Sequence, residues 1–112
     1  MAPSKKIPLE VQASAEELLE RFNREQLKET GIKYIFRFKG KYLYIDRQDY
    51  PGMRAGKMCR LEYTGNPDDW EFAIYLYSDD GYDPEEWTFE GSDLFDGTIE
   101  SALHAAMEAY PP

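Results

Sequence analysis

Cysteine occurs once, at Cys59, so the chain cannot close an internal disulfide or build a zinc centre from several thiolates. Histidine also occurs once, at His104, which excludes a multi-imidazole metal centre. No apolar run approaches the roughly 20 residues of a membrane-spanning helix, and the first dozen residues lack the apolar stretch of a secretory signal. A reducing compartment suits these absences, and a cytoplasmic protein without membrane association is the expectation. One further lack is regional: no lysine or arginine follows Arg60.

That regional lack polarises the chain. All 13 basic residues share the first 60 positions with eight acidic ones, giving +5, whereas positions 61–112 carry 14 acidic residues and a charge of -14. The net charge of -9 works against phosphate binding, which needs clustered Lys and Arg, so direct nucleic-acid binding is not expected. The polarity has two readings. Basic strands early in the chain can lie against acidic strands and loops late in it, at about 0.2–1 kcal/mol per pair. Alternatively, an acidic surface is kept for a basic partner or a cation, which includes a mimic of nucleic acid that occupies a basic protein.

What is present suits one hydrophobic core. The 112 residues are 42% hydrophobic and 15% aromatic, enough apolar material to exclude wholesale disorder. Positions 1–13 lack periodicity and read as a mobile leader, with 14–112 as a single α+β domain. Ser14 with Glu17 forms a capping box that predicts a helix start, Ala15, Leu18, Leu19 and Phe22 make its apolar stripe, and Gly31 stops it. Leu27 falls off that stripe and is assigned to the surface.

Four strands are predicted next. The segments 32–39 and 41–47 alternate around Lys39-Gly40, a hairpin signal, with Tyr34, Phe36, Phe38, Leu43 and Ile45 on one face. The segments 58–64 and 70–77 flank a turn at 65–69 and direct Cys59, Leu61, Tyr63, Trp70, Phe72, Ile74 and Leu76 to the core. Thr98 caps a last helix whose stripe is Ile99, Ala102, Leu103, Ala106, Met107 and Tyr110. The order α-β-β-β-β-α implies a four-stranded antiparallel sheet with both helices on one face.

Parity then leaves Arg37, Tyr42, Tyr44, Arg60, Tyr75 and Tyr77 on the other face, joined by Ile35, Glu62 and Ala73. Tyr and Arg combine apolar contact with directed hydrogen bonds and are enriched in binding hot spots, so this face is the candidate interaction surface. It would serve an unidentified protein partner or a homodimer. The second candidate is the acidic segment 78–97, where Asp79, Asp80, Asp83, Glu85 and Glu86 could neutralise Arg37 and Arg60 or offer oxygen ligands to Ca²⁺. Its spacing does not reproduce an EF-hand loop. Trp87 to Glu90 could add a short edge strand, and Trp87, Phe89, Leu94 and Phe95 should anchor the segment.

No other pattern carries a named chemistry. Gly52 to Lys57 is too short between its glycines for a phosphate-binding loop and leads into a strand. Glu100, His104 and Glu108 share one side of the last helix without the further ligands of a metal centre. Asp46, Glu62 and Glu71 are scattered carboxylates, the sole basis for a carboxylate-dependent or cation-dependent hydrolase. The expectation is therefore an interaction or regulatory module with no catalytic residue, metal or cofactor.

Overall fold

A computed structural model of the chain describes residues 6–50, 52, 54–77, 80–85 and 89–110. The elements are α1 (Leu9–Gln26), β1 (Lys33–Lys39), β2 (Tyr42–Gln48), β3 (Gly56–Glu62), β4 (Glu71–Leu76), β5 (Gly81–Asp83), a 3-10 turn (Ser92–Leu94) and α2 (Ile99–Ala109). The strands form one antiparallel sheet in sequential order. The α+β class and antiparallel pairing agree with the sequence reading, but the sheet has five strands instead of four. The added strand lies in the segment assigned to a loop: Tyr75 pairs with Tyr82 and Leu76 with Gly81. Asp80 takes a left-handed φ of 49° at this connection.

Helix α1 begins at Leu9, five residues ahead of the expected start at Ser14. Pro8 supplies a fixed φ of -60°, and its carbonyl accepts from the Gln12 amide at 2.9 Å. Ile7 is 3% exposed. Its amide donates to the Gly40 carbonyl at 3.1 Å, and its own carbonyl accepts from Gln12 Nε2 at 2.9 Å. The start is thus set by an anchored Ile7-Pro8 step, and Ser14 lies exposed in the second turn. The other end departs too: the helix stops at Gln26, and Leu27 is 1% exposed instead of lying on the surface. Leaving the helical period turns this side chain into the core, while Thr30 donates from its hydroxyl to the Leu27 carbonyl at 2.8 Å.

The β1–β2 hairpin follows the expected parity. Phe36 pairs with Ile45, Phe38 with Leu43 and Lys39 with Tyr42, around Gly40 at φ 61°. Between β2 and β3 the register shifts, so Ile45 faces Cys59 while Asp46 faces Lys57. Met58 is the extra residue of a bulge. Its consequence is that Met58 and Cys59 are both buried, whereas Lys57 emerges on the outer face.

All four central residues of β4, Phe72, Ala73, Ile74 and Tyr75, are buried. Phe89 and Phe95 pack on Phe72, with ring centroids at 5.5 and 5.2 Å. Trp70 anchors the preceding turn, its indole donating to the Pro67 carbonyl at 2.8 Å. At α2, Thr98 caps as expected, accepting from the Ser101 amide at 3.2 Å. Asp96 accepts from the Thr98 amide and hydroxyl at 3.1 and 2.7 Å, and these bonds hold its carboxyl below the usual carboxylate range. Ala105 is buried although it lies off the expected stripe. Gly91 covers this side of α2 at φ 91°, and a Cβ there would stand 2.5 Å from Glu108 Cβ. No described helix is long and apolar enough to cross a membrane.

Candidate functional site

The outer face of the sheet is built by three rules acting together: strand alternation, the β3 bulge and the small residue Ala73. Alternation sets Arg37, Tyr44, Arg60 and Ala73 side by side across four strands. Ala73 contributes only a methyl group to that row, and Tyr82 reaches back from β5 to within 5.4 Å of Tyr44 and 5.1 Å of Tyr75. The result is a continuous ribbon of rings. Tyr42 lies 6.0 Å from Tyr44, Tyr75 lies 4.8 Å from Tyr77, and Tyr77 lies 6.2 Å from Tyr110 at the end of α2. Together with the Tyr82 contacts, six tyrosines run from one end of the sheet to the other.

Cations lie over this ribbon. Arg37 stands 4.7 Å from the Tyr44 centroid, Lys41 5.3 Å from Tyr42 and Lys57 5.2 Å from Tyr75. Arg60 lies between two rings, 4.5 Å from Tyr42 and 5.4 Å from Tyr82. Such contacts contribute about 0.5–1 kcal/mol where exposed and more where desolvated. The Lys57 contact depends on the bulge, because unbroken alternation from Cys59 would place Met58 on this face instead.

The polar groups beneath the ribbon differ in how they are satisfied. Asp46, 6% exposed, accepts from Arg37 Nε at 2.5 Å and from Nη2 at 3.2 Å. Tyr75 donates its hydroxyl to Asp80, and that hydrogen bond pushes its phenol up to about 12. Tyr110 donates to the Tyr75 carbonyl. Tyr77 donates to the Lys57 carbonyl at 2.8 Å. Burial pushes the Tyr82 phenol up to about 12, with Asp46 adding to the shift and Arg37 opposing it. Its buried hydroxyl has no hydrogen-bond partner among the described residues. Arg60 likewise has no hydrogen bond or ion pair from its guanidinium among the described residues.

The six residues expected on this face therefore lie together, but not equally accessible. Arg37 and Tyr77 are exposed, Tyr42, Tyr44 and Arg60 are half-buried, and Tyr75 is buried at 4%. Tyr75 is a correction to the picture of four open tyrosines: β5 and Tyr110 close over it. Sequence reasoning missed Tyr82, although Asp80-Gly81 is a hairpin signal, and assigned Tyr110 only to the helix stripe.

Among the described residues, neither Arg37 nor Arg60 pairs with a carboxylate of the acidic loop. Arg37 takes Asp46 from its neighbouring strand, Asp80 takes Tyr75, and Asp83 accepts from the Glu85 amide at 2.9 Å. Asp79, Glu86 and Trp87 lie outside the described residues, as does part of the edge strand suggested at Trp87 to Glu90. No group of three or more His, Cys, Asp or Glu side chains suited to a metal ion occurs among the described residues.

The other sequence candidates are dispersed. His104 meets the Phe22 ring edge-on at 5.2 Å, and Glu108 lies under Gly91. Glu62 pairs with Lys41 at 3.4 Å. Cys59 is fully buried, and burial pushes its thiol up, which suits a core residue rather than a nucleophile. Comparison with protein-family models, characterised proteins and solved structures finds no match to this chain.

Proposed function

We propose that this chain is a protein-interaction module that docks a partner on the tyrosine and arginine face of its sheet. The observation that carries the reading is Arg60, set against both Tyr42 and Tyr82 with its guanidinium unpaired among the described residues. Two rings lie within 5.4 Å of the cation, and its N–H donors take no acceptor among the described residues. A guanidinium so placed is preorganised for a bidentate bond to a carboxylate, with tyrosine area on both sides to exclude water. A carboxylate-bearing protein surface is the matching partner. A second copy of the chain would meet the same chemistry, given the acidic residues of its later half.

The test is affinity capture with the native chain and with Arg60→Ala/Tyr42→Ala, at low and high salt, after both are shown to be folded. Proteins held by the native chain should be lost from the variant, and losing one hot-spot residue weakens binding by about 2 kcal/mol, roughly 30-fold. Equal capture by both would remove the face from consideration. Sedimentation of the native chain, monomeric or dimeric, separates the hetero-partner from the homodimer.

A further inference from the structure

A groove of about 800 Å³ opens on the opposite side of the molecule, between the N-terminal half of α1, the first turn of α2 and the 67–68 turn. Its floor is formed by the half-buried Val11 and Leu18, at i and i+7 along α1, with the buried Ala15 and Ile99 beneath them. Carboxylates of Glu10, Asp68 and Glu100 stand at its rim, and no Lys, Arg or His is among its described lining residues. None of these three carboxylates takes part in an ion pair or side-chain hydrogen bond among the described residues. Asp96, the remaining acid, is occupied with the cap of α2.

We propose that this groove binds a basic amphipathic helix of a partner protein. The half-buried Val11 and Leu18, two turns apart, match the anchor spacing of a helix laid in a groove, and burial of apolar anchors against them supplies the affinity. The rim selects the charge: Lys or Arg flanking the anchors would meet three carboxylates that have no ion pair among the described residues, while an acidic helix would be repelled. The inference is separate from the sheet-face reading, since it uses neither the tyrosine ribbon nor Arg60.

Fluorescence polarisation with three labelled peptides tests it: a Leu/Lys amphipathic helix, a Lys/Ser peptide of equal charge and a Leu/Glu helix. The native chain should bind the first at least about tenfold more tightly than either other. Ser14→Trp, which fills the groove from an exposed lining position without changing charge, should weaken the Leu/Lys complex by a similar factor. Glu10→Lys/Glu100→Lys should do the same and serves as the deciding variant should Ser14→Trp fail to fold. Arg60→Ala/Tyr42→Ala should bind the peptide as the native chain does, whatever becomes of the sheet-face reading. Equal binding of the Lys/Ser peptide, or unchanged Leu/Lys binding by the folded groove variants, would overturn the proposal.

Discussion

Arg37 reaches Asp46 through two nitrogens, Nε to Oδ2 at 2.5 Å and Nη2 to Oδ1 at 3.2 Å, and the two side chains are unequal in burial. The Asp46 side chain is 8% exposed and the Arg37 side chain 47%. The exposed partner therefore neutralises the buried one. Arg37→Met should cost about 2–3 kcal/mol in denaturant unfolding, because it strands a buried charge. Asp46→Asn should cost much less in the Arg37→Met background than in the native one. Additive costs in that double-mutant cycle would show that the pair does not act as a unit.

A second prediction concerns the edge of β1. The Asn23 side chain donates from Nδ2 to the Tyr34 carbonyl at 3.1 Å and accepts the Tyr34 amide on Oδ1 at 3.0 Å. It thereby takes the place of a neighbouring strand at that residue. Asn23→Ala should destabilise the chain by about 1–3 kcal/mol and accelerate hydrogen exchange of the Tyr34 amide. Unchanged exchange at Tyr34 would mean that water replaces the side chain without loss.

Leu9 and Leu27 bracket α1 and should behave as opposites. Leu9 is 82% exposed and Leu27 1% exposed. Leu27→Ala should lower stability by about 2–5 kcal/mol, and Leu9→Ala should stay within about 0.5 kcal/mol. Thermal melts of the two variants give the comparison directly.

Alkaline pH should unfold the protein through its tyrosines. Burial pushes Tyr34 and Tyr82 from the ordinary 10.0 up to about 12, so the folded state favours the neutral phenols. This contribution is fully present below the unfolded value and is lost as pH rises through the folded one. Stability should hold up to about pH 10 and fall between about pH 10 and 12, and the tyrosinate absorbance of these residues should appear only with unfolding. A plateau that persists through pH 12 would contradict the burial of these phenols.

Gly91→Ala should be poorly tolerated for two independent reasons, its φ of 91° and the 2.5 Å approach of the new Cβ to Glu108 Cβ. A loss of about 2 kcal/mol or more is expected in denaturant unfolding. In contrast, Gly40→Ala meets no atom within 4 Å and bears only the strain of its φ of 61°, so it should cost less.

Local pattern was sufficient wherever a short-range rule had no competitor. Alternation assigned Leu43, Ile45, Leu61 and Ile74 to the core, Gly40 marked the hairpin, and Thr98 marked the start of α2, because each depends on neighbours within a few residues. Parity likewise brought Arg37, Tyr44 and Arg60 into one row. The remainder depended on contacts distant in sequence. Ser14 and Glu17 match the capping-box pattern, yet the helix starts ahead of them at Leu9, behind an Ile7 anchored to Gly40. Leu27 became core because the chain left the helix one residue earlier. Tyr82 joined the ribbon because β5 pairs with β4 beside a row where only Ala73 intervenes, and Lys57 turned outward because a bulge displaced Met58. A capping motif or an alternating run states what a segment can do, and the free energy of burying it against a particular neighbour decides which of those options is used.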